Sequence, residues 1–540
     1  MHDAVAVGPY RKLPDFMAAR ADIPALAEVS LVIASALLLV LSFPNFELWT
    51  LAWVGLVPFL LIVARPLKAG RALVLGWLWG AIFFYGTCWW LTYPMIHYAH
   101  IPSRLAYPLL LLPIALVALF PALFSLLLSR LVAQLGPGAV LAAPLLWVTC
   151  EWARYEVTGQ LWNALGYSQA FHPVLIQSAR WGGVYVVSFF VVTANTAVAF
   201  ALLNRTAKRL ALSVSLLVAL LLVISVAHFC TQSYELHPGE HASIVVAVQP
   251  NVPMEGSDDP AAMERLLDRH LELSTQGLRK VPTGISSIVL VVWPESPMNF
   301  SYSRDPHLRD VVANFARRNH ASVLLNSLEP ALDGREHNSA VMVNEEGRIV
   351  AQYDKIRLMP FGEYVPLPRW IPGASSVRGI VGDFMPGSSY TLMPLGAFRV
   401  GVFICIEAAY PSIARTFANQ GADVLINISN DGYLGPTPVM RQHLSNAIFR
   451  AVESGRELVR VTNNGISANI ESDGRIVDYT PAFVPAVRTW SLSVEENNKT
   501  FYTRHGDTFV YACALISLGL ASASYRAYRT DRTYKKLKRQ

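Results

Sequence analysis

The sequence predicts a membrane protein: a bundle of eight transmembrane α-helices carrying one α/β domain that faces water. Three observations lead there. The chain of 540 residues is 53% hydrophobic and only 15% charged, whereas soluble domains carry about 25% charged residues. Eight apolar segments approach the roughly 20 helical residues that a bilayer core requires. Between the seventh and the eighth, short β-branched runs alternate with amphipathic stretches, as in folds that cover a sheet with helices.

The apolar segments run from about Ala25 to Leu41, Leu48 to Ala64, Arg71 to Tyr93, Ala106 to Leu128, Ala139 to Tyr155, Val184 to Leu203, Leu210 to Phe229 and Phe509 to Ala523. Lys and Arg in short loops resist translocation and so set orientation. One side holds Arg11, Lys12, Arg20, Arg65, Lys68, Arg71, Arg130, Arg205, Lys208 and Arg209, then seven more basic residues after Tyr525. The other side offers Arg104, Arg154 and Arg180. Both termini are therefore expected in the cytoplasm and the α/β domain outside it. The net charge of +6 follows from this bias and the basic tail, so composition gives no support to nucleic-acid binding. The first segment has no small-residue cleavage site after it and reads as an uncleaved anchor.

The expected organisation is a membrane domain over 1–231 with seven helices, an outer domain over 232–508, and an eighth helix with a basic tail over 509–540. In the outer domain ASIVVAVQP, SIVLVVWPES, ASVLLNSLE, NSAVMVN, FRVGVFICIE, ADVLINISN and LVRVTNNG read as strands. Several are continuous apolar runs, as in strands buried on both faces. The stretch from Met263 to Leu278, RDVVANFARRNH and MRQHLSNAIFRAVESG have apolar residues at helical spacing.

Cys88, Cys150, Cys230 and Cys513 lie in or beside apolar segments, where a thiol acts as a small hydrophobe. Cys405 is alone in the outer domain. With no partner for a disulfide, it is either buried and inert or kept for its reactivity. Glu295 closes the strand VVWPES, and Lys355 and Glu363 lie on YDKIRLMPFGEYVP, a loop punctuated by Pro360, Gly362 and Pro366. Loops at strand ends of α/β folds converge on one edge of the sheet. A carboxylate beside a thiol acts as its general base, and a nearby ammonium favours the thiolate and the oxyanion formed on an attacked carbonyl. That division of labour is acyl transfer through a thioester.

At these residues the sequence resembles a known family. WPES around Glu295, YDK around Lys355 and ICIE around Cys405 are similar to the Glu, Lys and Cys signatures of the nitrilase (carbon-nitrogen hydrolase) superfamily. With PFGEYVP, SNDGYLGPT, RAVESGRELVRVTNNG and the flanking apolar segments, the chain resembles the apolipoprotein N-acyltransferase family over essentially its whole length. The resemblance implies an αββα sandwich in the outer domain and a two-step exchange. A cysteine takes an acyl chain from a membrane phospholipid, typically the sn-1 chain of phosphatidylethanolamine, and passes it to the α-amine of the diacylglyceryl-cysteine that begins an apolipoprotein. Carried over, Cys405 is the nucleophile, Glu295 the general base and Lys355 the oxyanion stabiliser. Glu363 matches a glutamate that holds the lysine and the substrate amine, and Glu407, Asn430 and Asp431 match supporting positions. The implied location is the bacterial inner membrane, with the catalytic domain on the periplasmic side.

WLTYPMIHYAH and LWNALGYSQAFHP, on the outward side, suit the interface between headgroups and chains, and GYSQ (166–169) resembles a family loop facing the outer domain. Three rival readings stand beside this one. A membrane-tethered amidase would use the same residues and let water resolve the thioester. A transporter or scaffold would place ionisable residues along its helices, yet only Glu151 and Arg154 stand out there, expected to pair or snorkel. A Cys-His hydrolase would draw on His270, His320, His337 or His443, none of them in a recognisable partner motif. No metal-ligand spacing or glycine-rich phosphate loop appears, so neither a metal nor another cofactor is expected.

Overall fold

Residues 25–44, 46–203, 206–232, 243–254, 259–282, 288–365, 383–492 and 499–537 are described by the computed structural model. Arg11, Lys12, Arg20, Arg205 and Pro366 lie outside them. Among the described residues five helical segments are long and apolar enough to cross a bilayer: Ala69–His97, Ser103–Leu135, Val184–Leu203, Ala207–Cys230 and Thr508–Thr530. Ala25–Leu41 and Trp49–Val63 are apolar but shorter, and Ala143–Thr158 has 16 residues. The shortfalls have local causes. Tight 3-10 turns take up Trp49–Leu51 and Pro137–Ala142. Ser103–Leu135, by contrast, is long enough, and is interrupted only at Ala118, between Ser103–Val117 and Leu119–Leu135, where Pro121 has no N–H to donate back to the Val117 carbonyl. The last helix runs past Ala523 to Leu537.

Inside the bundle the helix Ala69–Cys88 lies close against Leu119–Leu135. A methyl group added at Gly76 would sit 2.5 Å from the Pro121 carbonyl oxygen, and one at Gly80 2.9 Å from the Pro121 ring. Small residues one turn apart allow such an approach where apolar solvent gives helices no hydrophobic reason to associate.

Twelve strands follow among the described residues: β1 (Ser243–Gln249), β2 (Ile288–Val292), β3 (Ser322–Pro330), β4 (Glu336–Val343), β5 (Ile349–Asp354), β6 (Leu392–Leu395), β7 (Phe398–Ile404), β8 (Val424–Ser429), β9 (Leu458–Thr462), β10 (Ala468–Ile470), β11 (Ile476–Tyr479) and β12 (Ala486–Leu492). They form two six-stranded sheets, ordered β12-β1-β2-β3-β4-β5 and β11-β10-β9-β8-β7-β6. The centres are parallel, β1 to β2 to β3 and β7 to β8 to β9; the flanking pairs are antiparallel. Helices Pro260–Leu278 and Pro306–Asn319 pack their apolar stripes on the first sheet. Pro411–Gln420 and Val439–Ser454 cover the second, completing an αββα sandwich. The seven expected strands and three expected helices are present. β5, β6, β10, β11 and β12 were not foreseen, because they are short or, like β5, largely exposed and without an apolar run.

The helix Val439–Ser454 joins the two halves of the molecule. An amphipathic surface helix keeps one face wet, yet here every residue except Arg441 is buried. Its second face lies under the membrane bundle. Gln442 Oε1 accepts from the indole N–H groups of Trp90 (3.1 Å) and Trp162 (2.8 Å), while Nε2 donates to the carbonyls of Pro44 (3.1 Å) and Thr87 (2.9 Å). Arg441 pairs with Glu47, and Glu453 Oε1 accepts from Val184 N–H at 2.9 Å.

These contacts give the aromatic loops a further role and correct one expectation. The aromatic loops serve as docking surfaces: Tyr98 stacks on Tyr433 with centroids 4.7 Å apart, and Tyr167 Oη accepts from Arg450. Glu151 and Arg154 do not snorkel, being 6% and 4% exposed. Arg154 Nη1 donates to the carbonyls of Gln160 and Trp162, and Glu151 accepts from Trp147 and from Leu165 N–H. Both hold the loop that presents Trp162.

Candidate active site

Four strands of the two sheets deliver chemistry at their carboxyl ends. β2 runs into Glu295, β5 into Lys355, β7 into Cys405, and β8 into Asn430 and Asp431. Facing sheets bring these ends together, and Cys405, Glu295, Lys355, Glu363, Asn430 and Asp431 line one cavity of about 420 Å3. Trp90 and Trp162 of the membrane bundle line it too, with Ile406, Tyr433 and Leu434, so one wall is apolar. A cavity of about 650 Å3 lies along Ile356, Arg357, Leu358, Pro360 and Tyr364 of the same loop, but none of those six residues lines it.

Cys405 has φ +53°, a left-handed backbone that a side chain disfavours. The chain leaves β7 and enters a tight turn, Cys405–Ala409, at this residue. Burial, then the Glu295 carboxylate, push the thiol's pKa up, and the Lys355 ammonium pulls against them without winning. The resting sulfur is therefore a thiol that needs a base.

Lys355 is 1% exposed. Its Nζ donates to Glu363 Oε1 at 2.8 Å and lies 3.5 Å from Glu295 Oε1. Burial alone would lower its pKa, but the two carboxylates outweigh it and hold the pKa well above the usual lysine value. The ammonium stays charged. Asn338 bridges the same carboxylates, its Nδ2 donating to Glu295 Oε1 (2.9 Å) and Glu363 Oε1 (2.6 Å). Glu295 Oε2 accepts from Asn430 N–H at 3.0 Å, which leaves the Asn430 side chain on Met254 and Asn463. Glu363 Oε2 accepts from Met359 N–H and so closes its own loop.

Glu407 points away from the cavity and is fully buried. Its Oε1 accepts from Tyr353 Oη–H (2.8 Å), Ile356 N–H (2.8 Å) and Arg357 N–H (3.0 Å), and Oε2 from Ile404 N–H (2.8 Å). It ties the lysine loop to the cysteine turn. Asp431, 2% exposed, accepts from Arg460 Nη2 with both oxygens (2.9 and 2.7 Å) and from Ser429 Oγ. Burial would raise its pKa; Arg460 and His443 overcome this and hold it below the usual carboxylate range.

Asn338 and Arg460 were not anticipated from sequence, and His443 only as a partner for a Cys-His hydrolase. His443 Nε2 lies 3.0 Å from the Cys405 carbonyl oxygen and Nδ1 2.9 Å from Asp431 Oδ1. It meets Cys405 through the backbone, not through sulfur. Among the described residues no group of three or more His, Cys, Asp or Glu is placed to hold a metal ion.

A buried ammonium, a paired carboxylate and a strained cysteine on an αββα sandwich define the class: a carbon-nitrogen hydrolase-type domain, here packed against apolar helices. The carbon-nitrogen hydrolase family model matches residues 245–494, and that of the apolipoprotein N-acyltransferase N-terminal domain matches 35–197. The apolipoprotein N-acyltransferase of Geobacter metallireducens is 33% identical over 530 residues, covering 96% of this chain and 98% of that one. That of Pseudomonas putida is 30% identical over 509 residues, covering 93% and 97%. Among solved structures, an amidase from Nesterenkonia sp. has 17% identity and a TM-score of 0.37, covering 51% of this chain and 97% of that one. The chain belongs to the apolipoprotein N-acyltransferase family, as its motifs implied, and is a bacterial membrane protein.

Proposed function

We propose that this enzyme performs the N-acylation of its family with Cys405 as nucleophile, Glu295 as general base and Lys355 as oxyanion stabiliser. The acceptor is the N-terminal amine of a diacylglyceryl apolipoprotein. The observation that carries the residue assignment is the single cavity shared by Cys405, Glu295, Lys355 and Glu363, closed on one side by indoles of the membrane bundle.

In the first step Glu295 takes the thiol proton as sulfur attacks the sn-1 ester carbonyl of a phospholipid, phosphatidylethanolamine being the proposed donor. The negative charge formed on the carbonyl oxygen meets the Lys355 ammonium, which is desolvated and so acts at short range in a low dielectric. The C–O bond breaks, the proton passes from Glu295 to the leaving lysophospholipid alkoxide, and a thioester remains. In the second step the lipoprotein amine attacks that thioester, Glu295 takes the amine's proton, the C–S bond breaks and the sulfur regains a proton. Glu363 and Asn338 keep Lys355 and Glu295 in place through both steps, and Glu407, Asn430 and Asp431 support the turns that carry them.

The distribution of Lys and Arg supports eight spans, cytoplasmic termini, a cytoplasmic (inner) membrane location and an outward-facing α/β domain over 232–508, between membrane parts 1–231 and 509–540. With both substrates anchored in lipid, the apolar wall of Trp90, Trp162, Ile406 and Leu434 supports entry of acyl chains from the bilayer side.

The test incubates the purified protein with phosphatidylethanolamine and reads the Cys405 peptide by mass spectrometry. One acyl adduct should form, disappear when a diacylglyceryl lipopeptide is added, and be absent in Cys405→Ala. An adduct on another residue would reject the assignment. Release as free fatty acid, with no acylated lipopeptide, would instead make the enzyme a hydrolase.

A further inference from the structure

We propose that His443 is a positioning residue for the nucleophile: its Nε2–H holds the Cys405 carbonyl and, through it, the left-handed turn that aims the thiol at Glu295 and Lys355. The inference rests on the acyl-transfer reading above. Its starting point is the backbone. A non-glycine residue at φ +53° is strained and persists only where its surroundings over-determine it.

The Cys405 carbonyl shows what does so. His443 Nε2 lies 3.0 Å from its oxygen, and Asn427 Nδ2 reaches it less closely, at 3.4 Å, while also donating to the Phe403 carbonyl at 3.1 Å. A carbonyl only accepts, so Nε2 carries the proton. The ring cannot swing away, because Nδ1 lies 3.0 Å from Arg460 Nη2 and 2.9 Å from Asp431 Oδ1. Arg460 in turn grips both Asp431 oxygens and Asn427 Oδ1, and Ser429 Oγ completes Asp431. From the membrane side, the Trp162 ring lies over the imidazole with centroids 5.6 Å apart.

A histidine that merely fills the core would need a partner for each nitrogen but no particular one. Here the donor is spent on the one carbonyl whose position sets the direction of the sulfur. Burial, then the Arg460 charge, lower the imidazole's pKa while Asp431 beside Nδ1 raises it, and in either state of charge Nε2–H faces the carbonyl. The same packing makes the membrane bundle part of the catalytic geometry, since Trp162 touches the ring that holds the cysteine.

The experiment compares full-length His443→Leu and His443→Gln with the wild type in detergent micelles containing phosphatidylethanolamine. Gln places an N–H donor near the imidazole Nε2 position; Leu has none. Three quantities are read: the rate of Cys405 acylation, the phospholipid concentration giving half that rate, and the rate of Cys405 alkylation by iodoacetamide. In the Leu variant, acylation should fall about 100-fold, as expected for a misplaced reacting group, with half-saturation unchanged and alkylation slowed. Gln should restore most of both rates. Wild-type acylation in the Leu variant, or equal damage from Gln and Leu, overturns the proposal. If Leu does not fold, His443→Asn, too short to reach the carbonyl, supplies the same contrast with Gln. Should the wild type itself form no acyl adduct, the acyl-transfer reading fails. The alkylation contrast still decides whether His443 orients the thiol.

Discussion

Cys405 stands between two polar clusters that differ in what they face. In front, Glu295, Lys355, Glu363 and Asn338 bond chiefly to one another, and the carboxylates keep 14% and 12% of their side-chain surface open to the cavity. Behind, Glu407, His443, Asp431 and Arg460 are at most 3% exposed, and Glu407 and His443 bond chiefly to backbone atoms of the catalytic turns. A group that must exchange its partner for a substrate needs access and tolerates longer bonds, such as the 3.5 Å from Lys355 to Glu295. A group that holds geometry gains by being sealed, because a buried charge that loses a partner has no water to replace it. The front cluster therefore suits turnover and the rear one rigidity.

Substitutions separate the two. Glu295→Gln keeps the shape of the front cluster but removes the base, so acylation of Cys405 should fall roughly 100-fold or more, well beyond what the lost ion pair with Lys355 takes from the melting midpoint. Unchanged acylation would remove Glu295 from the proton transfer. In the rear, Glu407→Gln sets an amide N–H against groups that are themselves donors. It should lower stability by about 2 kcal/mol, read by thermal melting in detergent, and slow acylation only through the displaced lysine loop. A catalytic loss equal to that of Glu295→Gln, without destabilisation, would erase the distinction between the clusters.

Smaller effects test where the rear cluster meets the membrane bundle. Gln442→Leu strips the shared acceptor from Trp90 and Trp162 and should cost about 1 kcal/mol; an unchanged midpoint would mean that apolar contact alone docks the helix. The subtlest signal is a slope. Burial, outweighing Arg450, raises the Glu453 carboxyl to about 7. The folded chain thus keeps a proton that the unfolded chain has released. That stabilisation is complete below the unfolded value of about 4.3 and is lost as pH rises through about 7. Relative to Glu453→Gln, the wild type should lose stability across this window, and parallel curves would contradict it.

Much of the site was legible because its residues follow long apolar strands: Glu295 after β2, Cys405 after β7, Asp431 after β8. Lys355 was found through the YDK motif, although its own strand, β5, went unseen because it is mostly exposed and has no run of apolar residues. Asn338 and Arg460 gave no comparable sign, and His443 stood only beside three other histidines as a partner for a thiol. Each is a polar residue inside a regular element, and only its partners distinguish it from any other.

Local chemistry and periodicity along the chain determined the two kinds of matter in this protein, apolar helices and an α/β domain, and which strand ends carry reactive groups. Those properties are set by a residue and its near neighbours, so a linear reading reaches them. Only the tertiary structure decided that a membrane indole borders the cavity of Cys405, that the aromatic loops dock on the helix Val439–Ser454, and that His443 meets a carbonyl rather than a thiol. Such pairings span up to 398 positions, as between Pro44 and Gln442, and they depend on the packing of the whole molecule, which no local pattern records.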